Sequence, residues 1–450
     1  MRLLFCVEFY FPSIGGAQEV MRQIAERLAA RGHSVTVATT RLTGRVPGKQ
    51  KGVQIEEFAV SGNRVRGLSG EVDRYRRFLL GSHFELVFFY AAQQWAFDAA
   101  WEVLDQLTAK SVLVPCGYSG LFEPAYQEYF AELPEILRKL DLIVYHASAY
   151  RDFEFGRSHG LDKFAIIPNG ADEREFAALP DSGFRSRHGI PAGALILLTV
   201  GTVTGLKGHL EVTRAFDALK FDFRPTVLLL NGNSPLGVRG GTSIAALIGL
   251  LTREYSLRYA LKHVVNMALS ALNIRAGKQK VLVDLIDRIN RLSSGKRVIR
   301  CDLPRVELIQ AYQNADLFVF ASNIEYSPLV LFEACAASLA FLSVSVGNAA
   351  EIAEWTGGGE IVPVTPDDLG YVRVAPEVFA ERIDALLSDQ VRRQRMRECG
   401  RASFERKYNW EHLSAMYEAR FLDVIDERAP GQTPRAHVAL GERPKAVGEG

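Results

Sequence analysis

The side chains in this sequence best placed to do chemistry are two carboxylates and an ammonium. Glu325 and Glu333 stand eight positions apart in Ile324-Glu325-Tyr326-Ser327-Pro328-Leu329-Val330-Leu331-Phe332-Glu333. Pro328 disfavours helix in the residue before it, so Glu325 belongs to a loop and the helix begins afterwards. Glu333 then falls about one turn into that apolar helix. The helix start carries positive partial charge and free N–H groups, which suits a phosphate. A carboxylate beside a phosphate is a good acceptor for sugar or ribose hydroxyls. Lys207 lies in Gly205-Leu206-Lys207-Gly208-His209, at a glycine-flanked helix start that suits a diphosphate. Gly15 and Gly16 let backbone approach a ligand in the same way. Each feature has a plainer reading: solvated carboxylates beside a buried helix, a surface lysine, a tight turn.

The elements that must position these residues read as repeated strand–helix units. Leu3–Val7 is a buried strand, followed by the glycine loop, a helix with apolar spacing at Val20, Ile24, Leu28 and Ala29, and the strand Ser34–Thr39. Arg41–Arg77 alternates short strands with polar loops. Leu86–Tyr90, Val112–Pro115, Leu142–Tyr145 and Ala165–Ile167 are further strands, and Trp95–Leu107 reads as a helix. A second series opens with the strand Leu195–Val200, the lysine loop, a helix through Leu219 and the strand Val227–Leu230. It resumes at Val298–Ile299 with the helix Arg305–Tyr312 and the strand Asp316–Ala321. The two-carboxylate segment follows, then the strand Phe341–Val346 and the loop Gly347-Asn348-Ala349-Ala350. Val378–Leu387 is a helix, and Arg392–Leu422 is helical with a break at Tyr408-Asn409-Trp410.

Composition narrows the class. At 450 residues with 48% hydrophobic content, two or three packed domains are expected. A net charge of +1 gives no overall pull toward nucleic acid. Five scattered cysteines without Cys-x-x-Cys fit a reducing compartment, and no secretory signal or spanning helix is expected. A cytoplasmic location follows. Val238–Arg297 is different, with 11 Lys/Arg against 3 Asp/Glu. Leu257, Leu261, Val264, Ala268 and Leu272 mark one helical face, and Val281, Leu285, Ile289 and Leu292 another. Such basic helices could lie on an anionic membrane surface, making the protein peripheral there, or could pack on the domain or on a second subunit. Residues 428–450 read as a disordered tail.

The order of these segments resembles the family 4 retaining glycosyltransferases. The resemblance rests on Pro12-Ser13-Ile14-Gly15-Gly16-Ala17, Pro168-Asn169-Gly170-Ala171-Asp172, the Lys207 loop, Glu325-x7-Glu333 and the Trp410 helix. It covers roughly residues 2–235 and 298–425. It implies the α/β GT-B fold: two Rossmann-like domains with parallel sheets facing across a cleft, and a C-terminal helix crossing back to the N-terminal domain. Residues 1–170 would be the acceptor domain, with 405–427 crossing back to it. Residues 171–404 would be the donor domain, including the basic insertion 238–297.

The resemblance also implies transfer of a sugar, of hexosyl type and with retention, from a nucleotide-diphosphate donor. Lys207 would neutralise the leaving diphosphate, Glu325 would face the donor sugar, and Glu333 would hold the ribose hydroxyls. The backbone from Gly347 through Asn348 and Ala349 to Ala350 would approach the diphosphate or the sugar. Gly15 and Gly16 would line the opposite wall. No Asp-x-Asp is present to hold a cation, so the expected reaction uses neither metal nor cofactor. The acceptor would be a polysaccharide, glycolipid or secondary metabolite, with polysaccharide biosynthesis among the expected settings.

Two departures bear on activity. Thr202 stands where the family usually has an arginine against the diphosphate. Cys116 and Tyr118, in Pro115-Cys116-Gly117-Tyr118, occupy the acceptor-side stretch where a histidine is common. A cysteine cannot reproduce imidazole hydrogen bonding. A nucleotide-sugar-binding scaffold with weak or lost turnover is therefore the alternative. A nucleotide-sugar isomerase or epimerase is a third reading, which the Glu-x7-Glu wording disfavours.

Overall fold

The computed structural model describes residues 1–42, 45, 48–81, 83–202, 205–221, 223–232, 276–293 and 295–426. The first sheet has eight strands in the order Phe164–Ile166, Leu142–Tyr145, Lys110–Val114, Leu86–Tyr90, Arg2–Cys6, Ser34–Thr40, Val53–Phe58 and Lys49–Gln50. All neighbours are parallel except the last pair. The central strands are unbroken apolar runs because helices and turns cover both faces of the sheet. The second sheet is parallel throughout, in the order Lys296–Cys301, Thr226–Asn231, Leu195–Val200, Leu317–Phe320, Phe341–Val344 and Gly359–Val362.

The chain passes between the sheets at Asn169–Asp172, and its C-terminal end locks that crossing. Ala171 N–H donates to Tyr408 O at 3.0 Å, and Trp410 N–H donates to Ala171 O at 3.2 Å. A Cβ on Gly170 would lie 2.4 Å from Tyr408 O, so the two backbones touch only because that residue is glycine. The helix Gln390–Arg406 packs on the second core, through Met396 and Phe404. After the break at residues 407–409, the helix Trp410–Asp426 lays Trp410, Leu413, Tyr417, Phe421 and Val424 on the first core. Phe421 and Tyr417 meet Phe88 there at ring distances of 5.3 and 5.7 Å.

Three expectations change. Trp95–Leu107 is not one helix: Trp95–Asp98 is helical, turns follow, and Leu104–Gln106 is a short 3₁₀ turn. Tertiary bonds take the polar groups that would have continued it. Asp98 accepts from Arg64 N and the Tyr129 hydroxyl, and Ala99 O accepts from Arg76 Nε. The end of Arg41–Arg77, expected to alternate strands and loops, instead opens the helix Val72–Gly81, with Tyr75 and Leu79 buried. In the basic stretch, Ala276–Leu292 is a helix whose stripe Leu282, Ile286 and Ile289 is buried in the second core. Val281 and Leu292, expected on its apolar face, are exposed at 44% and 80%. The stripe sits one residue further round because the helix packs on the domain, which removes this apolar face from any membrane role. The expected face Leu257–Leu272 and the tail 428–450 lie outside the described residues.

Candidate active site

The second half of the site is assembled at the C-terminal ends of the strands Leu195–Val200 and Leu317–Phe320. The lysine loop is pinned to the Glu325 loop by backbone contacts. Asn323 N–H donates to Leu206 O at 2.8 Å. Gly208 has φ 74°, and a Cβ there would lie 2.0 Å from Ala321 O. Only glycine permits so close an approach, after which the helix His209–Ala218 begins. Lys207 Nζ stands 2.6 Å from Glu325 Oε1, which also accepts from the Ser322 hydroxyl at 2.9 Å. The two residues expected to face the donor therefore share one spot, half-buried and ion-paired. Thr202 is half-buried, two residues beyond its strand.

Glu333 is the fifth residue of the helix Leu329–Ala336, which begins directly after Pro328. Its Oε1 is ion-paired with Arg305 Nη2 at 2.7 Å. Arg305 also donates to Glu175 Oε2 from Nε at 2.9 Å and from Nη2 at 2.5 Å. Desolvation opposes the guanidinium charge even though 39% of the side chain is exposed, and Glu333 and then Glu175 outweigh it.

The glycine loop of the first half meets this helix. A Cβ on Gly16 would sit 3.8 Å from Leu329 Cδ1. Gly15 has extended backbone, and Glu19, one turn on, makes an ion pair with Arg22 at 2.7 Å. Gly347, with φ 55°, lies against Tyr326 O, 2.2 Å from where a Cβ would be. Asn348 N–H donates to Tyr326 O at 2.9 Å, and Asn348 Nδ2 donates to His146 O at 3.3 Å. Ala349 is the first residue of the helix Ala349–Thr356 and is fully buried. The structure thus brings Glu325, Lys207, Gly347 and Asn348 onto linked loops of one cleft edge. Glu333 lies one helical turn beyond Leu329, the residue that meets Gly16.

Sequence reasoning missed the seam between the halves. Tyr326 is its centre: the hydroxyl accepts from His146 N–H at 2.9 Å and donates to Asp152. Its ring packs on Tyr150, with centroids 5.2 Å apart, and the Tyr150 hydroxyl donates to Glu325 O at 2.7 Å. Glu351 Oε1 accepts from Ser148 N–H at 2.9 Å and from the Ser148 hydroxyl, and Asn169 Nδ2 donates to Ser327 O at 3.1 Å. The one available signal for Tyr326 was its place beside Glu325. For Arg305 there was none beyond a basic residue at a helix start.

Of the two acceptor-side candidates, Tyr118 is turned away from the cleft, while Cys116 stays half-buried. Cys116, Gly117 and Tyr118 have φ values of 64°, 85° and 48°, a left-handed run that reverses the chain. It turns the Tyr118 ring into the core, between Phe130 and Phe155 at 5.4 Å each, so this side chain does not face the cleft. Burial and then the nearby Asp152 carboxyl push the Cys116 thiol up to about 12, so it stays protonated and bonds with Tyr90. A histidine is close by in space. His146 Nδ1–H donates to Ile167 O at 2.8 Å, and Nε2 accepts from the Tyr90 hydroxyl at 2.9 Å. Burial lowers its pKa to about 4, so the imidazole is neutral and fully enclosed.

Two parallel α/β sheets facing across a cleft, with a helix crossing back, define the GT-B architecture, and the solved structures with this shape agree. Sucrose-phosphate synthase from Thermosynechococcus elongatus aligns with TM-score 0.67 at 17% identity, covering 94% of this chain and 99% of its own. HepE from Anabaena in complex with UDP aligns with TM-score 0.66 at 14% identity, covering 94% and 100%. Residues 236–403 match the family of glycosyl transferases group 1. A relative, the D-inositol 3-phosphate glycosyltransferase of Kineococcus radiotolerans, is 24% identical over 417 residues, 85% of this chain and 84% of its own length. These structures show the GT-B fold, and the match over residues 236–403 gives the second half its likeness to glycosyl transferases.

Proposed function

We propose that this protein is a retaining hexosyltransferase that moves a sugar from a nucleotide-diphosphate donor to a carbohydrate or lipid-linked acceptor. The observation that carries the reading is the junction of Lys207 with the Glu325 loop, 2.6 Å apart at a cleft edge shared with Gly347. Lys207 balances the charge that develops on the departing diphosphate. Glu325 holds that ammonium in place before the donor arrives and then faces the donor sugar. The backbone from Gly347 through Asn348 and Ala349 and the Gly15–Gly16 loop approach the diphosphate or the sugar from both walls, and Glu333 receives ribose hydroxyls. Thr202 lies where the diphosphate passes. The diphosphate leaves through an oxocarbenium-like state. The acceptor hydroxyl attacks from the same face, and its proton passes to a donor phosphate oxygen, so no enzymic nucleophile or metal is invoked.

The relatives' names support a polar carbohydrate acceptor, since an inositol phosphate and sugar phosphates stand in them. A polysaccharide or glycolipid acceptor in the cytoplasm, with contact to an anionic membrane, rests on the basic charge of Val238–Arg297. Binding to liposomes that is independent of anionic lipid would remove the membrane part.

The test is transfer from a panel of nucleotide sugars in buffer containing EDTA. Wild type is expected to turn over, while Lys207→Ala and Glu333→Ala each fall about tenfold or more. Equal rates in all three would sink the assignment, and loss of wild-type turnover in EDTA would sink its metal-free part. The second reading, a nucleotide-sugar-binding scaffold, is favoured by Thr202 and by Cys116, which stand where the family usually has an arginine and often a histidine. Tight donor binding without turnover would select it.

A further inference from the structure

Arg305 lies where three parts of the molecule converge. From the second half comes Glu333, 2.7 Å away. From the segment that follows the crossing comes Glu175, which takes both Nε and Nη2 of the guanidinium. From the first half comes Glu19, whose carboxyl is held below its usual range: burial opposes this, Arg22 and Gln23 outweigh it, and Arg305 adds to them. Gly16 and Glu19 share one face of their helix, and Leu329 and Glu333 share one face of theirs. The close approach of Gly16 to Leu329 shows that these faces meet. The Arg305 side chain also passes over the Phe176 ring at 5.8 Å, which limits where the guanidinium can go. Beneath Glu333 lies Tyr312, fully buried, its phenol pushed well up first by burial and then by the Glu333 charge.

We propose that Arg305 is a positioning residue for the donor: it fixes one oxygen of Glu333, aims the carboxylate at a ribose hydroxyl, and ties that aim to the interdomain segment through Glu175. The proposal rests on the donor reading above, in which Glu333 meets the ribose. A carboxylate on a flexible side chain would spread over several rotamers. A guanidinium anchored to Glu175 by two donors leaves it one. Arg305 itself touches no reacting atom, so its contribution belongs in donor recognition and not in the chemical step.

The test compares UDP with 2′,3′-dideoxy-UDP by calorimetry on the full chain. Wild type is expected to prefer UDP by about tenfold or more, the size of a lost charge-assisted hydrogen bond. In Arg305→Met the preference is expected to fall to about threefold or less, as in Glu333→Gln, with no further fall in the double variant. Arg305→Lys keeps one charge but cannot span both carboxylates, so an intermediate preference is expected; it also serves as the readout if the methionine variant does not fold. General structural damage would weaken both nucleotides alike and leave their ratio unchanged.

The proposal is overturned if Arg305→Met and Arg305→Lys keep the wild-type ratio while Glu333→Gln loses it; the donor reading would survive that result. If wild type binds neither UDP nor GDP nor ADP, the donor reading itself fails, and this proposal fails with it.

Discussion

Lys207 can reach Glu325 because Gly208, its neighbour, has no side chain. The left-handed backbone at Gly208 would strain any L-residue, and the obstacle to a Cβ is the Ala321 carbonyl, which cannot rotate away as a side-chain tip would. Gly208→Ala is therefore expected to destabilise the fold by about 1–3 kcal/mol and to move Lys207 off Glu325. Thermal unfolding and nucleotide-sugar affinity measured together check this. An unchanged melting temperature with unchanged affinity would refute it. At this scale the sequence was informative, since glycine, lysine and both glutamates stood out by type and spacing. It was silent on Arg305, because an arginine at a helix start is ordinary until its partners are known.

Among elements, the loop after the strand Leu142–Tyr145 joins the halves, and His146 is its fixed point. Burial lowers the His146 pKa from 6.5 to about 4, although its bond to Ile167 O works the other way. The unfolded chain therefore binds a proton between these values that the folded chain refuses. The stability this histidine allows is present above pH 6.5 and is lost as pH falls toward 4. Between pH 7 and pH 5 that loss is about 2 kcal/mol. Asp152, raised from 3.8 to about 6 mainly by burial, acts in the opposite sense, since its folded form gains a proton first as pH falls. Urea unfolding at both pH values should show a smaller drop for His146→Gln than for wild type, by about 2 kcal/mol. Parallel drops would show that His146 does not titrate on unfolding. The sequence located this loop as a strand end. It could not show that the loop closes on Tyr326, because that contact joins residues far apart in the chain.

The whole molecule is held at its crossing by charge placed inside. Arg27, on the first helix, is 3% exposed and reaches Asp172 at 3.0 Å and Glu173 at 2.6 Å, with Glu411 of the terminal helix at 3.6 Å. One guanidinium thus links the first half, the interdomain segment and the returning helix. Removing it leaves the Asp172 carboxylate, 10% exposed, facing the more open Glu173 and Glu411 without its counter-charge. Arg27→Ala is expected to cost about 3–5 kcal/mol, the usual size for breaking one side of a buried pair. Denaturant unfolding checks this, and a loss under about 1 kcal/mol would mean that solvent reaches the crossing and screens it.

The sequence by itself determined the succession of strands and helices, the glycine loops and the residue types able to meet a diphosphate sugar, because periodicity, turn chemistry and helix starts are local properties. It overextended the helix from Trp95 and displaced the apolar stripe of Ala276–Leu292, where distant partners outweigh local preference. Only the tertiary structure decided that Lys207 pairs with Glu325, that Arg305 holds Glu333, that Tyr118 turns inward and that Tyr326 seals the halves together. Those contacts depend on which loops meet when two sheets face each other, and no local pattern along the chain encodes that meeting.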